Sequence, residues 1–194
     1  MLPGVAERID DTVLMVRYRN GDMAAFEKLY ANHKGPLYRY FLRQGLDREI
    51  ASDLFQEVWT KIIRARDRYE PTAKFTTFMY QLAHNCMVDH HRRQSRRPQH
   101  AASVAASHPD GLVADWADGP ESRAQSMQIL EQLRRALATL PFEQKEAFLL
   151  REEGGLGLRE IASITQVNAE TAKSRLRYAV VKLRKILDGE SEFE

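Results

Sequence analysis

The feature that most constrains this chain is a break in its hydrophobic rhythm. From about Gln94 to Arg123 the sequence QSRRPQHAASVAASHPDGLVADWADGPESR is rich in Ala, Ser, Pro, Gly and Asp and has no apolar period. Both flanks repeat apolar residues at helical spacing, and no segment alternates as a half-buried strand would. The pattern predicts an all-α protein of two helical domains joined by a flexible linker. Some 25 extended residues would span roughly 80 Å. The linker begins basic, at Arg96 and Arg97, and turns acidic through Asp110, Asp115, Asp118 and Glu121. By itself it reads as a solvated tether.

At 194 residues the chain is long enough for one large or two small domains. Its formal net charge of +2 is too small to reveal a polyanion partner, so charge has to be read locally. The lone cysteine, Cys86, excludes an intrachain disulfide and fits a reducing compartment. The start, MLPGVAERIDD, has no apolar run behind a basic segment, so no signal peptide is expected. No run of about 18 apolar residues offers a membrane span. The expected location is the cytoplasm.

Before the break, DDTVLMVRYRNGD has acidic residues at its start and Gly21 near its end, as a short helix would. DMAAFEKLYANHKG follows, with Ala25, Phe26, Leu29 and Tyr30 on one face. Pro36 suits the first position of another helix, PLYRYFLRQGL. DREIASDLFQEVWTKIIRAR places Ile50, Leu54, Phe55, Val58, Ile62 and Ile63 at helical spacing. After DRYEPTAK, the stretch FTTFMYQLAHNCMVDHHRRQSRR contains nothing that breaks a helix. It is aromatic at one end and basic at the other.

Two readings of that stretch stand open. Phe75, Phe78, Met79, Leu82, Ala83 and Cys86 form one stripe, which is what core packing requires. Yet Tyr69, Phe75, Phe78 and Tyr80 lie beside Lys74 and upstream of Arg92 and Arg93. Aromatic faces next to a basic track suit unpaired nucleotides, because every base has a face to stack on. Asn85 would supply polar contacts to the edge of an extruded base.

After the break, LREIASITQVNAETAKSRLRYAVVKLRK reads as helix, turn and helix. Ile161, Ala162 and Ile164 give the first helix an apolar face. Asn168 suits the N-cap of the second, and Glu170 suits the positive end of its dipole. Leu176, Val180, Leu183 and Leu187 are expected to anchor that helix. Arg159, Thr171, Lys173, Ser174, Arg175, Arg177 and Tyr178 remain for contact. From Arg159 to Lys185 there are seven basic residues against two acidic ones. A helix-turn-helix with that excess is equipped for a duplex major groove.

Taken together, GDMAAFEKLY (21–30), ASDLFQEVW (51–59), YEPTAKF (69–75), LAHNCMVDHHRR (82–93), LATLPFEQKEAFLL (137–150) and LREIASITQVNAETAKSRL (158–176) resemble a bacterial RNA polymerase sigma factor of the extracytoplasmic-function (ECF, group 4) type. The resemblance implies sigma domain 2 over 1–96, a linker over 97–122 and sigma domain 4 over 123–194. Domain 2 would bind core RNA polymerase and open the −10 element, and domain 4 would read the −35 element. Asp53, Leu54, Gln56, Glu57 and Trp59 match the helix that meets the coiled coil of the β′ subunit, and the β subunit would complete the core contacts. Tyr69, Lys74, Phe75, Phe78, Asn85, Arg92 and Arg93 would serve the −10 element, with Asn85, Asp89 and Arg92 matching an Asn-x3-Asp-x2-Arg pattern. Asp89 would be mainly structural. Lys173, Ser174 and Arg175 match the −35 readers. The linker would thread the polymerase cleft, its acidic stretch in the RNA path. Promoter DNA is the implied nucleic acid, and an anti-sigma factor is a common partner of relatives. The implied protein is not an enzyme and needs no cofactor.

Four positions depart from the family pattern. Phe78 stands where Trp is usual, Gln166 where the turn has Gly, and Tyr178 where Arg is frequent. Ser52 stands where an acidic residue usually precedes Asp53. That makes Ser52 either a tolerated polar residue or a phosphorylation site for a Ser/Thr kinase.

Other chemistry is poorly supported. Cys86 and His90 are four apart and could share a helix face with His84, Asp89 and His91 nearby, but no second ligand pair exists, so no metal is expected. The paired carboxylates Asp47/Glu49 and Glu152/Glu153 fall at helix ends with no nucleophile or phosphate-loop motif. A plain DNA-binding regulator would use only the C-terminal half.

Overall fold

The computed structural model describes residues 9–96 and 120–188. Four α-helices form an N-terminal lobe: α1 (Asp11–Arg19), α2 (Met23–Arg43), α3 (Arg48–Ala65) and α4 (Phe75–Arg96). A single 3₁₀ turn, Arg66–Arg68, leads out of α3. Four more form a C-terminal lobe: α5 (Pro120–Ala138), α6 (Phe142–Glu152), α7 (Leu158–Ile164) and α8 (Ala169–Leu187). Among the described residues there is no strand. α5 begins at Pro120, inside the segment expected to be linker, and Glu121 belongs to it. Arg97, Asp110, Asp115 and Asp118 lie outside the described residues.

Short polar side chains start the helices. Asp10, Asp22, Asp47 and Asn168 each accept a backbone N–H from the first turn of α1, α2, α3 and α8. Each satisfies one of the donors a helix start leaves unpaired. Gly21 and Gly45, at φ 100° and 95°, let the chain turn tightly after α1 and α2.

One expectation is corrected. Pro36 does not begin a helix but sits inside α2, which runs unbroken from Met23 to Arg43. Proline costs one backbone hydrogen bond there. Leu29, His33, Leu37, Tyr40 and Phe41 keep one buried face in phase through it, so tertiary packing outweighs local preference. α2 is also tied to α1, since Asn32 and His33 both bond the Asp11 carboxylate.

The N-terminal core joins Leu14 and Met15 of α1, Leu37 and Phe41 of α2, Val58 and Ile62 of α3, and Met79 and Met87 of α4. Ile63, expected on the buried face of α3, is exposed, because Leu54, Val58 and Ile62 already complete the inward stripe. In the C-terminal lobe Leu149 and Leu150 of α6, Ile161 and Ile164 of α7, and Ala172, Ala179 and Leu183 of α8 are buried. Val180 and Leu187 are exposed, which corrects their expected anchoring role. Two small alanines let α8 lie close to its neighbours, and that turns Val180 outward.

The lobes pack against each other through α2 and α4 on one side and α6 and α7 on the other. Glu146 of α6 accepts hydrogen bonds from the Tyr40 hydroxyl (3.2 Å) and from Nδ1 of His84 (2.6 Å). Burial, reinforced by that carboxylate, pushes the Tyr40 phenol well above its ordinary value. Glu153 pairs with Arg39 (3.0 Å) and Arg43, and its side chain is only 4% exposed. It is therefore not the exposed helix-end acid that its position suggested.

Candidate polymerase and nucleic-acid interfaces

The helix-turn-helix is built as the sequence reading anticipates. α7 and α8 are joined by Thr165–Asn168, where the Asn168 carboxamide accepts from the Thr171 N–H at 2.7 Å. Gln166 takes φ 55°, the left-handed backbone that glycine adopts without cost. Gln166 thus holds a backbone conformation that is strained for a residue with a side chain. At the outer start of α8, Lys173, Arg177 and Tyr178 are exposed, while Thr171, Ser174 and Arg175 are half-buried. The Arg177 guanidinium lies 5.0 Å from the Tyr178 ring centroid, close enough for cation–π attraction. Arg159 is exposed at the start of α7. With Arg151, Lys173 and Arg177, and with apolar Leu176 and Val180, it lines an open groove of about 920 Å³.

In the N-terminal lobe the predicted residues divide into surface and support. Asp53 and Gln56 are exposed on α3 and Glu57 is half-buried. Lys61, 2.8 Å away, holds the Glu57 carboxyl below its ordinary value. Leu54 and Trp59 are each 5% exposed, so they present little surface of their own beside exposed Asp53 and Gln56. Trp59 sits among Phe26, Tyr30 and Phe55, with ring centroids 5.0–6.3 Å away.

The aromatic end of α4 resolves the same way. Tyr69 is 5% exposed and Phe75 and Tyr80 are 1% exposed, so their rings do not offer faces for stacking. Phe78, partly buried, has its ring centroid 5.3 Å from that of Tyr69 and 6.4 Å from that of Phe75. Of the predicted −10 set, Lys74, Asn85, Arg92 and Arg93 are exposed. Asp89 is half-buried.

Sequence reasoning missed that the C-terminal lobe meets this face. Glu160 Oε1 accepts from the Thr77 hydroxyl (2.8 Å) and lies 3.4 Å from Lys74 Nζ. Its other oxygen accepts the Gly157 N–H at 2.7 Å, closing the first turn of α7. Burial pushes the Glu160 carboxyl up, but the Gly157, Thr77 and Lys74 contacts outweigh it and hold the group below its ordinary value. Gln81 donates to both the Asn85 side chain and the Ile164 carbonyl, each at 3.3 Å. Of these contacts, only the Gly157–Glu160 spacing left a local trace in the sequence.

Cys86 is buried, with Lys61 Nζ 3.2 Å from its sulfur. Burial pushes the thiol up, which argues against a reactive or metal-binding sulfur. No group of three or more metal-ligating side chains converges among the described residues. No described helix is long and apolar enough to cross a membrane.

Two family descriptions match the chain in order: sigma-70 region 2 over residues 29–97 and sigma-70, region 4 over residues 130–183. RNA polymerase sigma factor CarQ of Myxococcus xanthus is 29% identical over 180 residues, covering 93% of this chain and 98% of that protein. The ECF RNA polymerase sigma-E factor of Escherichia coli K12 is 28% identical over 176 residues, covering 89% and 91%. Among solved structures, CnrH in complex with the cytosolic domain of CnrY has a TM-score of 0.65 at 19% identity, covering 93% of this chain and 99% of that one. The sigma factor RpoE of Bartonella quintana, solved with the anti-sigma factor NepR, also scores 0.65 at 19% identity, covering 84% and 96%. At that identity the two structures speak for the fold.

Proposed function

The chain belongs to the extracytoplasmic-function sigma factors of the sigma-70 family, which are non-enzymatic initiation factors, and from that premise we propose that it binds core RNA polymerase and directs initiation at promoters carrying both −10 and −35 elements. The observation that carries this reading is the order of two sigma regions on one chain. A repressor needs only the second region, and a nuclease needs neither.

Each lobe has a role that follows from its surface. Asp53, Gln56 and Glu57 on α3 meet the polymerase, with Leu54 and Trp59 holding the helix in place. Lys74, Phe78, Asn85, Arg92 and Arg93 receive the −10 region. Arg92 and Arg93 neutralise phosphates, and Asn85 bonds a base drawn from the stack. Tyr69 and Phe75 shape the platform from beneath. Arg159, Thr171, Lys173, Ser174, Arg175, Arg177 and Tyr178 serve the −35 element. A bidentate contact from a cationic side chain at the start of α8 would discriminate a guanine by about 1–3 kcal/mol. Residues 1–96, 97–122 and 123–194 act as domain 2, linker and domain 4. Action in the cytoplasm, beside polymerase, follows from the same role.

Purified chain and core polymerase should co-elute, and Asp53→Ala with Gln56→Ala should abolish co-elution while leaving the fold intact by circular dichroism. Retained co-elution would contradict the α3 assignment. For the −10 element, Asn85→Ala should slow strand opening more than closed-complex binding, read with a fluorescent base analogue at −10.

Two forms of control belong to the proposal. An anti-sigma factor is a fitting partner, since the sigma factor RpoE of Bartonella quintana, a neighbour in fold, was solved with the anti-sigma factor NepR. Ser52 is a candidate site for a Ser/Thr kinase. It is half-buried on α3 beside exposed Asp53, and its hydroxyl accepts from Gln56 Nε2 at 3.4 Å. Phosphorylation would add a charge of about −1.5 to −2 within the polymerase-facing segment. Ser52→Glu should then bind core more tightly than Ser52→Ala, and equal affinities would remove the idea.

A further inference from the structure

Between α3 and α4, five consecutive residues (Glu70, Pro71, Thr72, Ala73 and Lys74) are exposed, and they run between two buried aromatic residues, Tyr69 and Phe75. A loop with no core of its own takes its course from how its two ends are held. At the far end the chain enters α4 at once, and the buried ring of Phe75 fixes it there. At the near end the hold comes from α1, earlier in the chain.

Arg19, the last residue of α1, donates from Nη1 to the Tyr69 carbonyl at 2.9 Å, across 50 residues of sequence. Its neighbour Tyr18 is buried, and the Arg66 guanidinium of the 3₁₀ turn lies 5.2 Å from the Tyr18 ring centroid. Burial pushes the Tyr69 phenol up, and the Asp10 carboxylate at the start of α1 adds to the rise, so Tyr69 lies alongside that helix. α1 therefore holds Arg66 and Tyr69, the residues from which the loop departs. Core packing accounts for Tyr18. It does not account for Arg19, whose side chain is half-buried and bonds the backbone of another element.

We propose that Arg19 is a positioning residue for −10 recognition: without touching DNA, it fixes the peptide between Tyr69 and Glu70 and so sets the course of residues 70–74, bringing Lys74 and the loop backbone to an unpaired −10 base. This rests on the assignment of Lys74 and α4 to the −10 element. Arg19 lies outside the sigma-70 region 2 match, which begins at residue 29. A guanidinium that holds a carbonyl makes a charge-assisted, directional bond. That suits it to aim a backbone segment that has to meet one base, since a contact group works only if its own support is fixed.

The test uses the full chain with core polymerase, on a promoter recovered from genomic fragments by run-off transcription and carrying a fluorescent base analogue at −10. Arg19→Gln removes the charge, and Arg19→Lys keeps a cation that can donate to the carbonyl. Arg17→Gln removes an exposed charge of the same helix, paired with Asp22, and serves as the charge-matched control. Each variant is read for closed-complex affinity, for the rate of strand opening, and for the ratio of opening rates between the parent −10 sequence and one with a single base replaced. Arg19→Gln should open the strand about tenfold more slowly, the worth of one hydrogen bond to a charged group, and should bring the ratio closer to one. Its closed-complex affinity should match the parent chain. Arg19→Lys should recover most of the rate, and Arg17→Gln should behave as the parent.

An opening rate for Arg19→Gln equal to the parent's overturns the positioning role, as does a loss that Arg17→Gln shares. Slowed opening with an unchanged ratio also overturns it, because a loop moved off its base must discriminate less. If the parent chain itself opens no promoter, the −10 assignment falls, and the role of Arg19 with it. If the parent opens the strand and Arg19→Gln keeps pace, only the role of Arg19 falls.

Discussion

At the start of α8, Lys173, Arg177 and Tyr178 stand in solvent, whereas at the start of α4 Phe75 is 1% exposed and Lys74 and Thr77 reach a carboxylate of the other lobe. Both helices carry the residues that a DNA-reading role asks for. They differ in how those residues are held. The first turns of the second helix bury Ala172 and Ala179 and leave Lys173, Arg177 and Tyr178 outside. The first buries its aromatic rings and leaves polar groups that the opposite lobe then engages. On the proposed reading, the C-terminal face presents its cations directly to a duplex, while the N-terminal face presents Lys74, Asn85, Arg92 and Arg93 above a buried aromatic layer.

The sharpest way to break this contrast is at Phe75. If its ring is core, Phe75→Ala should cost about 3–5 kcal/mol of stability, read by denaturant unfolding. Unchanged stability with lost strand opening would instead return the ring to the DNA surface. Arg175→Ala comes next. It should weaken promoters through the −35 element by about 1–3 kcal/mol, and templates lacking that element should be spared. Equal loss on both templates would contradict a base-reading role.

Gln166→Gly probes whether the C-terminal face is preformed. Relieving the left-handed backbone at φ 55° should stabilise the lobe by about 1 kcal/mol, seen as a higher unfolding midpoint. Duplex affinity should stay unchanged, and a drop would mean that the strained turn itself sets the angle of α8. The smallest effect is expected at Arg92. Arg92→Ala should lower the log–log salt slope of duplex binding by about 0.9, the share of one phosphate contact. An unchanged slope would place Arg92 off the DNA path.

Much of this arrangement is legible in the sequence. The span of α4 is, because nothing from Phe75 to Arg96 interrupts its stripe, and so is the helix-turn-helix, because Asn168 and the apolar face of α7 mark its joint. Other elements are legible only in part. Pro36 reads as a helix start because local preference is all that a sequence displays, while the buried face that carries α2 through it is tertiary. Val180 and Leu187 look like anchors by type and spacing, yet alanines take that role. The contact between the lobes leaves almost no local trace. Glu146 and Glu153 sit in segments that resemble any exposed helix, and their partners are more than 60 residues away in the chain. Charges that meet only after folding have no period to betray them.

The most direct test of the central claim is run-off transcription from a pool of genomic fragments, with purified core polymerase alone and with this chain added. The account predicts new transcripts whose start sites share paired elements upstream, lost when either lobe's reading residues are replaced. Start sites identical to those of core enzyme alone would contradict it.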